Sequence, residues 1–270
     1  MKLSDWFHPF RSWRRRRATA RPFPNEWDEI LARTFPADAM LPSDDRIELR
    51  RRVQVFLAEK NFEGLGGLEL TDEVRVTIAA QACLLLLHRG EDHYAGLYSI
   101  LVYPAAYSAP SRTISSNGIV TEGGQARQGE AWAHGAIVLS WDNVLRGGAD
   151  PRDGHNVVLH EFAHALDTQD RHADGMPPLP SRSMYAPWVN VLGAEYRQLQ
   201  DKVARRHRTV LDPYGATNPA EFFAVATETF FEKPRQLKSK HPELYAELAG
   251  FYRQDPAARQ SARKRDTQAD

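Results

Sequence analysis

The sequence predicts a predominantly helical α+β fold with a small mixed sheet beside one chemistry-bearing helix. Three observations lead there. Apolar residues recur at helical spacing around 43–57, 71–87, 186–208 and 219–231. Only two stretches, 97–107 and 135–141, read clearly as strands. No internal repeat or long linker interrupts the chain, which at 270 residues and 42% hydrophobic content can bury a large core.

Composition excludes several classes. Cys83 is the sole cysteine, so neither an intrachain disulfide nor a multi-thiolate metal site can form. Lys plus Arg equals Asp plus Glu at 35 each, which excludes a bulk polycation. A nucleic-acid partner is therefore not expected. No run of apolar residues is long enough for a transmembrane helix, and the N-terminus lacks a signal-peptide pattern. A cytoplasmic setting is expected. Charge is nonetheless uneven. Residues 1–22 carry Lys2, Arg11, Arg14, Arg15, Arg16, Arg17 and Arg21 against Asp5, interleaved with Trp6, Phe7, Phe10 and Trp13. They read as a basic, flexible leader. The sharper alternative is an arm that touches an acidic partner, a nucleic acid or an anionic lipid. Residues 23–256 read as a single unit, with 23–95 as a helical N-terminal subdomain, and 257–270 as a polar flexible tail.

In chain order, Asn25 can cap a short helix through Trp27, Ile30 and Leu31. Ser43 or Asp44 can cap a longer one that buries Ile47, Leu49, Val53, Phe56 and Leu57. Residues 61–67 are glycine-rich and turn-like, but no Lys-Ser or Lys-Thr follows, so a phosphate loop is poorly supported. Thr71 or Asp72 caps a nearly all-apolar helix that contains Cys83, read as a packed thiol. His88 and His93 fit capping or surface roles. Residues 97–107 form a strand and 108–130 an irregular loop or hairpin. The strand Gly135–Trp141 ends before a Gly147-Gly148 turn signal. Asn218 caps, and Pro219 opens, a helix that stops before Pro234. A last helix spans Pro242 to Tyr252.

The chemistry sits at His160-Glu161-Phe162-Ala163-His164, an H-E-x-x-H pattern with apolar residues on both flanks. A four-residue step returns both imidazoles to one helical face. Two neutral imidazoles suit a zinc ion, one per chain. Glu161 can take the proton of an activated water and pass it to a leaving amine. Buried histidines and a glutamate without compensation would be costly, and a metal supplies that compensation. A third ligand is required. Position 167 is Asp and position 170 is Asp, so the extended pattern with a third histidine is absent. A carboxylate of the 219–231 region is expected: Glu221, Glu228 or Glu232. Glu221 and Glu228 are seven apart and share a face. Glu221 also fits as the capping-box partner of Asn218, and the spacing leaves Glu221 and Glu228 both open.

Three segments together resemble the Mlc titration factor A family, the glucose-regulated metallopeptidases. They are Gly135–Trp141, His160–Asp167 and Asn218–Val225, and the resemblance covers about residues 20–256. The arginine run is not placed on the family's pattern. The resemblance implies a zincin-like zinc metallopeptidase with aminopeptidase activity on peptide substrates, His160, His164 and Glu221 as zinc ligands, and Glu161 as general base. It implies a core similar to the metallopeptidase domain of anthrax lethal factor. Tyr214, seven residues before Glu221, thereby inherits a metal-facing role as oxyanion donor. The enterobacterial member binds the repressor Mlc of the glucose phosphotransferase system, so Mlc is an implied partner.

In this reading, if the 136–140 strand is an edge, a peptide lies along it at Ala136, Val138 and Ser140, held by backbone hydrogen bonds. Trp141 and Tyr185 either shape a side-chain pocket or pack in the core. Asp167 and Glu228 orient ligands or brace their helices. The rival reading is a non-enzymatic, zinc-stabilised binding protein that sequesters a repressor.

Overall fold

The structure, a computed structural model, describes residues 8–90, 94, 96–105, 112–114, 120–122 and 135–260. His93, most of 108–130 and the tail beyond residue 260 lie outside these. The helices are α1 (His8–Thr19), α2 (Asn25–Thr34), α3 (Ser43–Glu59), α4 (Asp72–Leu84), α5 (Trp141–Ala149), α6 (Val157–Asp167), α7 (Tyr185–Ala204), α8 (Pro219–Glu232), α9 (Pro234–Lys240) and α10 (Pro242–Tyr252). The strands are β1 (Asn61–Gly64), β2 (Ser99–Tyr103), β3 (Arg112–Ile114), β4 (Val120–Glu122) and β5 (Ala136–Ser140).

The fold is mostly helical, as expected, but the expected mixed sheet resolves into two separate pieces. β1, β2 and β5 form a wholly parallel sheet in that order, with Asn61 opposite Ser99 and Ser99 opposite Ala136. The antiparallel pair, β3 with β4, is a separate ribbon. The parallel arrangement follows from connectivity. α4 carries the chain from the end of β1 back to the start of β2, and a crossover of that length joins parallel strands. β2 is central and β5 is an edge among the described strands.

Local signals account for several boundaries. Thr71 accepts a hydrogen bond from the Val74 amide and caps α4. Asn218 accepts from the Glu221 amide at 2.9 Å, with Pro219 first in α8. Leu49, Val53, Phe56 and Leu57 bury one face of α3, whereas Ile47 is 67% exposed. Ile47 sits two residues before Leu49, about 200° round the helix, and so faces away from the core. His88 adopts a left-handed backbone beyond α4, and its imidazole stands 2.9 Å from Asp45, in keeping with a surface role.

Other segments differ from the sequence reading. The turn-like 61–67 segment begins as β1 because β2 supplies its backbone partners. The basic leader is helical from His8 to Thr19 and docks on α3, where Arg15 pairs with Glu59 at 2.6 Å and Arg14 donates to the Ala58 carbonyl. Pro234 opens α9 rather than only ending α8, since proline is tolerated in a first turn. Gly147-Gly148 lies inside α5 instead of forming a turn. A Cβ at Gly147 would stand 2.9 Å from the Asn156 Cα, and one at Gly148 2.7 Å from the Thr34 carbonyl oxygen. Close helix packing, not chain reversal, requires these glycines.

This packing positions α6. It contacts α4, α5, α8 and β5. Its inner face buries Val158, Leu159, Phe162, Ala163 and Leu166. Phe162 meets Tyr94 edge-on, with ring centroids 4.9 Å apart, and Phe56 at 5.7 Å. Truncating a fully buried phenylalanine of this kind costs about 3–5 kcal/mol. The apolar face therefore anchors α6 rigidly while its polar residues turn toward α8.

Candidate metal centre

Asn156 joins the three helices that build the site. Its side-chain oxygen caps α6 through the Leu159 amide at 3.0 Å. Its side-chain nitrogen donates to the Gly147 carbonyl at 3.0 Å, and its backbone amide donates to Glu228 at 2.5 Å. A cap of this type contributes about 1 kcal/mol. Here it also sets the start of α6, and with it the direction of both histidines.

His160 and His164 leave one face of α6, with their Nε2 atoms 3.2 Å apart. Glu221 reaches from the first turn of α8. Its Oε2 is 3.0 Å from His160 Nε2 and 3.4 Å from His164 Nε2. One donor atom from each of His160, His164 and Glu221 lies within 4.8 Å of the others. Nitrogen and oxygen donors bound tetrahedrally to zinc stand about 3.3 Å from one another. The residues fit a divalent ion, and the pairing of imidazoles with a carboxylate suits zinc.

Glu228 lies two turns beyond Glu221 and takes the other side of the same ring. Its Oε1 is 2.8 Å from His160 Nδ1. A carboxylate there holds the proton on Nδ1 and leaves Nε2 as the lone-pair donor. The two carboxylates that spacing could not rank thus bracket one imidazole. Glu221 faces both Nε2 atoms, and Glu228 orients His160. Glu232 lies apart and accepts from the Gly154 amide at 2.9 Å.

The electrostatics are those of a cation site. Burial depresses His160, but the Glu221 and Glu228 carboxylates outweigh it and carry the imidazole up to about 10. Burial raises Glu221, but its bonds to His160 and His164 dominate and hold it at about 2. Positive charge is stabilised strongly where the three donors meet.

Glu161 is buried yet borders a cleft of about 410 Å³, together with His160, Tyr214 and Glu228. Tyr214 stands on the short 3-10 turn Pro213–Ala216, whose start is held by Asp212 accepting from the Tyr214 amide at 2.7 Å. Its ring centroid is 6.1 Å from that of His160. Burial first, and then the neighbouring Glu221, raise its phenol above the usual range.

The remaining sequence-derived candidates are distributed differently. Asp167 turns to the following loop, where its Oδ2 accepts from the Gly175 amide at 2.9 Å, so it braces that loop. Ala136 and Val138 are half-buried on β5, while the Ser140 hydroxyl is used to cap α5. Trp141 is half-buried and packs on the core, and the Tyr185 hydroxyl accepts from the Leu179 amide. Neither Trp141 nor Tyr185 borders the cleft described here. Asn143, Arg146 and His155 do border it, and sequence reasoning did not single them out. Asn156 was also passed over, although an asparagine immediately before an apolar helical run is a recognisable cap signal.

Comparison with known proteins places the chain in a family. The profile described as "Glucose-regulated metallo-peptidase M90" matches residues 10–253. The match starts inside α1, so the arginine run that the sequence reading left off the pattern lies within it. An uncharacterized protein of Synechocystis sp. is 42% identical over 253 residues, covering 93% of this chain and 92% of its own. Proteins named Mlc titration factor A are also similar. The one from Klebsiella pneumoniae is 34% identical over 86% of this chain and 87% of its own. The one from Serratia proteamaculans is 34% identical over 87% and 88%.

Proposed function

The chain belongs to the glucose-regulated metallo-peptidase M90 family, and we propose that it is a zincin-like zinc peptidase with aminopeptidase preference. The observation that carries this is the convergence of His160, His164 and Glu221 on one point, with His160 and Glu161 both bordering the neighbouring cleft. His160, His164 and Glu221 would hold one zinc ion per chain, whose chemistry is to acidify a water and polarise a carbonyl. Glu161 takes the water's proton and delivers it to the departing amine. The Tyr214 hydroxyl donates a hydrogen bond to the oxygen that gains charge as the carbonyl is attacked. Glu228 keeps the His160 ring in its working tautomer, and Asn156 holds Glu228 in place. A peptide strand adds to β5, an edge among the described strands, at Ala136, Val138 and Ser140, with its backbone as the main hold. The likeness to the lethal factor core, the substrate-side roles of Trp141 and Tyr185, and a single catalytic unit over 23–256 belong to the same proposal. Among the described residues no helix is long and apolar enough to cross a membrane, and the proposed setting is cytoplasmic.

Glu161→Gln tests the reading. It should retain stoichiometric zinc and lose about two to four orders of magnitude in peptide hydrolysis. Retained turnover would remove Glu161 from the mechanism. The name shared by the enterobacterial relatives supports a second reading, in which the chain binds the Mlc repressor. Glu161→Gln separates the two, because a binding role survives the loss of hydrolysis.

A further inference from the structure

A second groove, of about 590 Å³, lies where α1 meets α2, α3 and α4, and shares no lining residue with the metal cleft. Arg14, Arg17, Arg21, Arg75, Trp13 and Trp27 border it, and no carboxylate does. Ordinary structural roles absorb part of this charge. Arg14 donates to the Ala58 carbonyl at the end of α3, and Arg17 lies in the last turn of α1, where a cation is favoured. They do not absorb the rest. Arg21 lies beyond the end of α1, and Arg75 projects from α4. Asp72 Oδ1 stands 3.8 Å from Arg75 while its Oδ2 accepts the Trp27 indole N–H at 2.9 Å, so Asp72 offsets the Arg75 charge in part. Among the described residues no ion pair involves Arg17 or Arg21.

Like charges gathered in one concavity repel, and an anion relieves that repulsion. Guanidinium groups match phosphate oxygens as planar forks. Trp13 is 50% exposed and the Arg17 guanidinium sits 5.3 Å from its ring centroid, so an aromatic ring and a phosphate-matching fork stand side by side at the groove. The volume lies in the range of small-ligand sites. The surface is concave, unlike the apolar face of a membrane-lying helix. We propose that this groove binds a phosphorylated aromatic ligand of nucleotide size, with phosphates on Arg17, Arg21 and Arg75 and the ring against Trp13. This site is independent of the peptidase reading.

Calorimetric titration of the zinc-loaded full chain with ADP, pyrophosphate and adenosine tests it. ADP should bind with one site per chain, about tenfold or more tighter than either fragment. Arg17→Gln with Arg21→Gln should weaken ADP about tenfold or more, and Arg75→Gln, on a different helix, should act in the same direction. Trp13→Leu should bring ADP down to the pyrophosphate level and leave pyrophosphate unchanged. Zinc content and peptide hydrolysis should stay at the parental level in all of these variants, which separates ligand loss from misfolding. A 5′-phosphorylated single-stranded oligonucleotide distinguishes the source. Tighter binding than ADP with the same Trp13 dependence would assign the chemistry to a strand end. Three results would overturn the proposal: no ADP binding, ADP affinity indifferent to the arginines (placing it at the zinc), or an oligoglutamate peptide bound as tightly as ADP.

Discussion

Glu228→Gln preserves the length and shape of the side chain and removes its charge. Two donors converge on this carboxylate: His160 Nδ1 at 2.8 Å and the Asn156 amide at 2.5 Å, one on each oxygen. A carboxamide offers only one oxygen, so its NH2 group must face one of those donors. Glu228 is 7% exposed, and water cannot easily substitute. A buried donor left unsatisfied costs about 1–3 kcal/mol. Because the donor lost is either His160 itself or the cap that aims it, zinc affinity should fall about 10- to 100-fold. The assay is competition with a chromophoric chelator near neutral pH, with Glu221→Gln measured alongside. Glu221→Gln should lose more, since it alters a donor that faces both Nε2 atoms. If Glu228→Gln bound zinc as tightly as the unsubstituted protein, or more weakly than Glu221→Gln, the division of roles drawn from these distances would be wrong.

Three further outcomes are expected. Tyr214→Phe should lower kcat about 10- to 100-fold with zinc content unchanged, and steady-state kinetics beside metal analysis would check it. Gly148→Ala should lower the thermal midpoint, since overpacking against the Thr34 carbonyl costs about 1–3 kcal/mol and exceeds the roughly 1 kcal/mol gained in helix propensity. A raised midpoint would show that α5 shifts freely. Burial, foremost, and the nearby Asp153 and Glu228 hold the Glu232 carboxyl neutral up to about 9 against a usual 4.5. Between those values the unfolded chain has released a proton that the folded chain keeps, so stability from this group falls as pH rises. Urea midpoints should decline across that window, and Glu232→Gln, which keeps an acceptor for Gly154, should flatten the decline.

Much of the helix that carries His160 and His164 was legible in the linear chain, because its determinants are local. The pair His160 and His164 is set by one helical turn, the buried face of α6 by apolar spacing, and the start of α8 by Asn218 and Pro219. Such signals survive without knowledge of neighbours. Cys83 likewise read as a packed thiol, and burial does push it up to about 12. Contacts between distant segments were not legible. Glu221 and Glu228 share a face of α8, and their different duties depend on where α6 crosses it, which no local spacing encodes. Gly147 and Gly148 looked like a turn because glycine is equally suited to reversing a chain and to admitting a close neighbour. Ile47 looked buried because it is apolar and near helical spacing with the core residues of α3, yet it stands on an exposed face. The parallel register of β1, β2 and β5 and the docking of α1 on Glu59 depend on partners remote in the chain. Hydrophobic period and capping chemistry are short-range properties. The ranking of carboxylates around an imidazole is a matter of ångström separations between helices, and those exist only once the core has packed.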